Sequence, residues 1–155
     1  MTPNDITYRY MTEGDLEEIK DIEIKSNPFP WTHMNFIDCL KAGHYCLVQE
    51  VKESFSGFAI QSIALNETHL LNIGIEDSYR RKGLGSHLLD QILYSSKEMG
   101  SKKIFLEVRA SNRAAIGLYK KLGFQKEFLR KNYYRLRIGR EDAIVMSKKL
   151  VRNCK

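Results

Sequence analysis

One contiguous stretch of the chain constrains the fold more than any other part. Residues 68–75 form an apolar run with the length of a strand, and residues 83–99 carry apolar side chains at helical spacing. Residues 103–108 form a second apolar run, and residues 112–122 form a second helical pattern. A strand, a helix and a second strand in this order predict a parallel pair joined by a right-handed crossover.

The rest of the chain predicts further strands and two more helices around this unit. The additional helices cover residues 12–25 and 32–42, and the additional strands cover residues 6–11, 44–51, 57–65, 124–130 and 142–149. This order predicts an α+β, or mixed α/β, fold around a mostly antiparallel sheet. No repeat or low-complexity linker interrupts the 155 residues, so we expect residues 1–155 to form a single domain.

Several patterns are absent from the sequence. No apolar run reaches the roughly 18 residues that a membrane span needs, and residues 1–10 lack the apolar core of a signal peptide. Cys39, Cys46 and Cys154 form no Cys-x-x-Cys pair, and the four histidines have no metal-ligand spacing. We therefore expect a cytoplasmic protein with free thiols, without a metal and without a membrane partner.

The net charge of +6 is unevenly distributed along the chain. Residues 1–100 contain 9 Lys and Arg against 15 Asp and Glu, whereas residues 101–155 contain 16 against 4. A basic segment of this kind is typical of proteins that bind nucleic acid or an anionic cofactor, and also of a solvated basic face. The acidic residues concentrate on the predicted first helix, where they could attract a basic ligand.

A glycine-rich junction links the first predicted strand of the crossover to its helix. The sequence RRKGLGS, residues 80–86, brings cations and two glycines to the start of a helix. The first N–H groups of a helix have no partner within it, so such a junction can bind phosphate. The sequence matches neither a Walker loop nor the dinucleotide fingerprint, which has a third glycine where Leu88 stands. The alternative is a helix start with two flexible residues.

Three polar or aromatic residues stand out in the segment after the crossover. Glu107 interrupts an apolar strand, which is typical of a structural carboxylate paired across strands or with Arg109, or of a group with a chemical role. Asn112 lies at the start of the next helix and can cap it. Tyr119 follows Asn112 by seven residues and therefore lies on nearly the same helix face, about 10 Å away. An aromatic residue at that spacing is also typical of a core.

These segments together resemble a known enzyme family. RRKGLG resembles the Arg/Gln-x-x-Gly-x-Gly/Ala signature of the GCN5-related N-acetyltransferases. Over residues 6–150 the chain is similar to the bacterial RimI-like members, in which matching segments occur in the same order: NPFPW, LLNIGIEDSYRRKGLG, LEVRASNRAAIGLYKKLGF, RKNYY and REDAIVM.

The resemblance implies a fold and a co-substrate. The family fold is a seven-stranded sheet that splays between its fourth and fifth strands and is flanked by about four helices. Its members bind acetyl-CoA. The pantetheine arm would contact the backbone of Ile73, Gly74 and Ile75, and Asn112 would also contact the co-substrate. The pyrophosphate would meet the backbone N–H groups of six consecutive residues, which are Arg81, Lys82, Gly83, Leu84, Gly85 and Ser86.

The resemblance also implies residue roles. Glu107 would be the general base, acting directly or through a water, and Tyr119 would be the general acid that reprotonates the thiolate of CoA. Four residues match segments that line the acceptor groove: Trp31, Tyr133, Tyr134 and Glu141. Asp142 lies beside Glu141 and could help it to hold a cationic peptide.

The implied acceptor is the N-terminal alanine of the eighteenth small-subunit ribosomal protein. An α-amino group has a pKa of about 8, whereas a lysine side chain has a pKa of about 10.4, so the α-amine needs less help from a base. We expect direct attack within a ternary complex, a monomeric enzyme and no nucleic-acid partner. The alternatives are other protein N-termini, lysine side chains, a small-molecule amine, or a non-enzymatic acetyl-CoA sensor or RNA-associated module.

Overall fold

The computed structural model describes residues 2–151 and contains four α-helices and seven strands in this range. The helices are α1 (Leu16–Ser26), α2 (His33–Lys41), α3 (Leu84–Glu98) and α4 (Arg113–Lys121). The strands are β1 (Ile6–Tyr10), β2 (Tyr45–Val51), β3 (Ser54–Ala64), β4 (Glu67–Ile75), β5 (Lys103–Arg109), β6 (Gln125–Arg135) and β7 (Arg140–Lys149). Within residues 2–151, no helix is both long and apolar enough to cross a membrane.

The strands form one sheet in the order β1-β2-β3-β4-β5-β7-β6. β4 and β5 run parallel, with Glu67–Leu70 opposite Lys103–Leu106, whereas β5 and β6 each run antiparallel to β7. The β4–β5 register therefore ends before either strand does. The predicted α+β fold, with a mostly antiparallel seven-stranded sheet and four helices, is confirmed.

The chain divides into two compact units. The first contains residues 2–62 together with Asn72–Ile92, and the second contains Ile63–Leu71 together with residues 93–151. Each unit has its own buried side chains and is described separately below. That the whole chain forms one domain stays a prediction.

The core of the first unit is built by α1, α2, β2 and β3. α1 contributes Leu16, Ile19 and Ile22, which repeat at helical spacing and are almost fully buried. The hydroxyl of Thr32 accepts a hydrogen bond from the Asn35 N–H at 3.2 Å and so caps α2, as predicted. Cys39 and Cys46 are free and buried, whereas Cys154 lies outside the described residues.

The structure shifts some predicted boundaries. β6 was expected to end near Arg130 but extends to Arg135, and its side chains are almost all exposed. An exposed strand has no buried face, so its sequence lacks the apolar alternation that marks a strand. α3 begins at Leu84 rather than at Gly83, because Gly83 has a φ of +76°, which no helical residue adopts.

Gly74 on β4 is packed tightly within the first unit. A Cβ atom built on it would lie 2.8 Å from both Ile22 Cγ2 and Phe58 Cε1. Gly57 is similarly confined, because its Cβ would lie 2.7 Å from the Gly74 carbonyl oxygen. The absence of a side chain at residue 74 is thus required by core packing, whatever else it permits.

Packing predicts that Gly74→Ala lowers the free energy of unfolding by about 1–3 kcal/mol, because the added methyl group overpacks the core. Gly117→Ala is the matched control. It lies within α4 with no atom within 4 Å of a built Cβ, so alanine should stabilise the protein by about 0.5–1 kcal/mol. Urea denaturation of the ligand-free variants measures both changes. Unchanged stability in Gly74→Ala would contradict the packing argument.

Candidate active site

The side chains of strand β5 alternate between the two faces of the sheet. Ile104, Leu106 and Val108 are buried, while Glu107 and Arg109 alternate with them and point to the opposite face. The register places Arg109 and Glu107 opposite residues of β7. The second unit therefore presents a carboxylate and a guanidinium side by side on one face of its strands.

Glu107 is held by residues of β6. Arg130 Nε donates to Glu107 Oε1 at 3.0 Å, and 31% of the Glu107 side chain remains exposed. A hydrogen bond to Glu107 is also the main cause that raises the pKa of Tyr133. Glu107 is thus paired with a residue of another strand, which is one of the two structural alternatives that the sequence suggested, and not with Arg109.

Arg109 pairs instead with Glu141 at the start of β7. Arg109 Nη1 donates to Glu141 Oε1 at 3.0 Å, and the Ser111 N–H donates to Glu141 Oε2 at 3.3 Å. Hydrogen bonds from Ser111 lower the pKa of Glu141 below its usual value, and the hydrogen bond and positive charge of Arg109 lower it further. Glu141 therefore fixes the loop between β5 and α4, and its predicted contact with a cationic peptide stays a prediction.

Two tyrosines of β6 complete this cluster. The rings of Tyr133 and Tyr134 lie 5.0 Å apart, edge to face, and the Arg109 guanidinium lies 4.5 Å from the centre of the Tyr134 ring. Burial raises the pKa of Tyr134, and the charge of Glu107 adds to the effect. Both phenols are therefore protonated at neutral pH and can donate hydrogen bonds. Their predicted role in the acceptor groove stays a prediction.

Tyr119 lies near the end of α4 and is 8% exposed. Its ring contacts Phe124, with 5.6 Å between the ring centres. Burial raises the pKa of Tyr119 to about 12. The phenol therefore stays protonated at neutral pH, as a proton donor must. A thiol has a pKa of about 8.5, so a phenol with a pKa of about 12 would stabilise a thiolate by a hydrogen bond more readily than by complete proton transfer.

Asn112 caps α4, as its position in the sequence predicted. Its side-chain oxygen accepts a hydrogen bond from the Ala115 N–H at 3.2 Å. The cap fixes the start of the helix that carries Tyr119. The predicted contact between Asn112 and acetyl-CoA is untested and stays a prediction.

The raised pKa of Tyr119 predicts how stability depends on pH. Between about pH 10, where a tyrosine in the unfolded chain ionises, and about pH 12, the folded protein keeps a proton that the unfolded chain releases. Stability should therefore fall as pH rises through this range, by up to about 1.4 kcal/mol per pH unit from this group.

Urea denaturation at a series of alkaline pH values measures this slope. Tyr119→Phe has no proton to lose at this position, so its stability should fall less steeply with pH than that of the wild type. Comparing slopes removes any difference in stability that the substitution causes at neutral pH. Equal slopes for the two proteins would contradict the assigned pKa.

The residues predicted to contact the co-substrate through their own backbone, 73–75 and 81–86, lie in the first unit. Ile73, Gly74 and Ile75 form the end of β4, and Arg81 and Lys82 are exposed in the loop that follows. Arg81 and Gly83 have positive φ angles, of 61° and 76°, and the helix starts immediately afterwards. The loop therefore turns sharply into α3 with exposed cations beside the free N–H groups of the helix.

The start of α3 is anchored by a buried glutamine. Gln49 Nε2 donates to the Leu84 carbonyl oxygen at 3.1 Å, and Gln49 Oε1 accepts from the Ser56 hydroxyl at 2.9 Å. Gln49 is fully buried, so both bonds are shielded from water. The anchor keeps Leu84 buried while Gly85 and Ser86 remain partly exposed at the helix start.

A buried carboxylate beside β4, that of Glu23, was not identified as a candidate site residue from the sequence. Glu23 is 4% exposed, and its Oε2 accepts a hydrogen bond from Asn72 Nδ2 at 2.5 Å. The sequence held a signal, because Glu23 follows Ile19 by four residues and so lies on the apolar face of α1. The bond fixes β4 at the residue before Ile73.

Trp31 belongs to the core of the first unit. Its ring contacts Phe36, with 5.2 Å between the ring centres, and it packs against the cluster formed by α1, α2, β2 and β3. This contact gives Trp31 a structural role. Its predicted place in the acceptor groove is untested.

The structure thus groups the predicted residues by unit. The second unit brings Glu107, Tyr133, Tyr134 and Glu141 into one network through Arg109 and Arg130, of which Arg130 was not identified from the sequence. The first unit holds the glycine loop and the end of β4. Across residues 2–151, no group of three or more His, Cys, Asp or Glu side chains could hold a metal ion.

Comparisons with known proteins agree with this architecture. The model of the acetyltransferase (GNAT) family matches residues 16–124. The ribosomal protein bS18-alanine N-acetyltransferase of Escherichia coli K12 is 38% identical over 133 residues, which cover 86% of this chain and 90% of the relative. The enzyme of the same name from Haemophilus influenzae is 36% identical over 134 residues, or 86% and 91% of the two chains.

A solved structure supports the same assignment. The crystal structure of the ribosomal-protein-S18-alanine N-acetyltransferase from Escherichia coli superimposes with a TM-score of 0.88 at 34% identity, and the match covers 97% of each chain. Both the sequence and the fold are thus shared over nearly the whole length. The chain belongs to the GNAT family of acetyltransferases.

Proposed function

We propose that this protein is a cytoplasmic N-α-acetyltransferase that transfers the acetyl group of acetyl-CoA to the N-terminal alanine of ribosomal protein bS18. The observation that carries the proposal is the similarity to bS18-alanine N-acetyltransferases, which extends over about nine tenths of both chains. The protein is proposed to act as a monomer and without a metal.

The residues of the first unit suit an acetyl-CoA site. The exposed cations Arg81 and Lys82 precede a helix start whose N–H groups, from Arg81 through Ser86, would bind the pyrophosphate. The backbone of Ile73, Gly74 and Ile75 would bind the pantetheine arm. Asn112, which belongs to the second unit, is also proposed to contact the co-substrate. When bound, acetyl-CoA supplies an acetyl thioester that an amine can attack.

Glu107 is proposed to accept the proton that the attacking amine loses. The amine nitrogen forms a bond to the thioester carbonyl carbon, the carbon–sulfur bond breaks, and the amine proton passes to Glu107 directly or through a water. About a tenth of an α-amine is neutral at pH 7, so only modest help from a base is needed. A partly exposed carboxylate beside Arg130 suits this modest demand.

Tyr119 is proposed to donate a hydrogen bond to the sulfur atom that leaves the acetyl group. The support is that burial raises the pKa of this phenol to about 12, so it is protonated around pH 8, where an α-amine becomes neutral. On the acceptor side, Trp31, Tyr133, Tyr134 and Glu141 are proposed to line the groove. The substrate protein has a basic tail by family resemblance, whereas this chain has a net charge of +6, so acidic residues near the groove would have to outweigh the overall charge.

The proposal is tested with a synthetic peptide that copies the N-terminus of bS18 and contains one internal lysine. Incubation with acetyl-CoA should add one acetyl group to the α-amine and none to the lysine, as tandem mass spectrometry can localise. The matched control is the same peptide with a blocked N-terminus, which should not react.

The other outcomes identify the alternatives. Acetylation of the blocked peptide would indicate a lysine acetyltransferase. No reaction with either peptide, but turnover of other N-termini or of small amines, would move the acceptor to one of those classes. Steeply salt-dependent RNA binding with no turnover of any amine would contradict an enzymatic role.

A further inference from the structure

Strand β6 departs from regular pairing next to Glu107. Arg130 stands opposite Ala143, and Tyr134 stands opposite Glu141. Three residues of β6 therefore lie opposite Asp142 alone, so the strand carries a bulge at residues 131–133. Bulges re-aim side chains and are frequent beside active sites.

The bulge changes the direction of one side chain. Consecutive residues of a regular strand point to opposite faces, so Tyr133 and Tyr134 would be separated by the sheet. Their rings instead lie 5.0 Å apart, and the centre of the Tyr133 ring lies 5.8 Å from the guanidinium of Arg130, which pairs with Glu107. The bulge therefore adds the Tyr133 hydroxyl to the face that already carries Arg130.

Asp142 and Asn132 hold the bulge in place. Asn132 has a φ of 54°, in the left-handed region that asparagine tolerates better than most residues. Its N–H donates to Asp142 Oδ1 at 2.9 Å. The Asp142 carbonyl oxygen in turn accepts from the Ala110 N–H at 3.0 Å, just beyond the end of β5. Asp142 thus links the bulge to the strand that carries Glu107.

We propose that Asp142 is a positioning residue whose carboxylate pins the β6 bulge, so that Tyr133 and Arg130 together orient the Glu107 carboxylate toward the acceptor amine. Arg130 occupies Oε1 with one directed bond, and Tyr133 adds a second donor. This inference rests on the proposed function, because it takes Glu107 as the base.

A bulge on an edge strand also has a purely structural explanation, since it hinders pairing with another chain. The two explanations differ in what they predict. Residues 131–133 are exposed, so releasing them should cost little stability. A structural bulge would leave turnover intact, whereas a positioning bulge would lower kcat without changing the affinity for acetyl-CoA.

The test compares Asp142→Ala, which removes the acceptor oxygen, with Asp142→Asn, which retains one. We expect Asp142→Ala to lower kcat by about 10- to 100-fold, because misplacing a reacting group by about 1 Å has an effect of this size. Asp142→Asn should recover most of the loss, and the KM for acetyl-CoA should be the same in both. Wild-type kcat in Asp142→Ala would overturn the inference.

A double-mutant cycle with Tyr133→Phe tests whether Asp142 affects kcat through Tyr133. If Asp142 acts through the Tyr133 hydroxyl, adding Asp142→Ala to Tyr133→Phe should lower kcat much less than it does in the wild type. Fully additive losses would overturn this route.

A second readout does not depend on turnover. The hydrogen bond to Glu107 raises the pKa of Tyr133, so Asp142→Ala should return that pKa toward the ordinary tyrosine value, as NMR of ring-labelled tyrosine measures. An unchanged Tyr133 titration would overturn the inference. If the wild type acetylates no amine, the proposed function fails, and this titration alone decides whether Asp142 positions Tyr133.

Discussion

Strand β5 pairs with a neighbouring strand on each of its two edges, and the two pairings differ in length. The arrangement of the second unit depends on this difference. β4 pairs with it only as far as Leu106, whereas β7 pairs with it through Arg109. Among the described residues, the last part of β5 is therefore held in register by β7. Since β7 also pairs with β6, the side chains that surround Glu107 are positioned by antiparallel pairing through β7, which the bulge at residues 131–133 interrupts. The site residues sit where the parallel pairing has already ended.

The sequence predicted the fold well where burial imposes a period. The buried positions of α1 and the alternating buried residues of β5 follow from apolar spacing, and the caps at Thr32 and Asn112 follow from side chains that can accept backbone hydrogen bonds. The ends of β6 could not be predicted in this way, because nearly all of its residues are exposed and its sequence shows no regular alternation of apolar residues.

The candidate site was predictable only in part, for a similar reason. Glu107 stood out because a carboxylate interrupts an apolar run, and resemblance supplied its role. Its partner Arg130 lies 23 residues away, and the register that joins them passes through β7. The bulge depends on a single left-handed residue, Asn132, and on one bond to Asp142. Such long-range pairings leave no local pattern in a sequence.

The chemistry of the site suits an amine that is easily deprotonated. Glu107 is partly exposed and paired with the guanidinium of Arg130. Tyr119 is buried and firmly protonated, which suits a donor to a departing thiolate. An α-amine with a pKa of about 8 needs little help from a base to lose its proton, whereas a lysine side chain with a pKa of about 10.4 needs far more.

The most direct test of this account measures kcat and acetyl-CoA affinity for Glu107→Gln in one preparation. Glutamine keeps the size of the side chain and can still accept a hydrogen bond from Arg130, but it cannot take a proton from the amine. The account predicts that kcat falls by about 100-fold or more while the affinity for acetyl-CoA is unchanged. Undiminished turnover in this variant would contradict the assignment of Glu107 as the base.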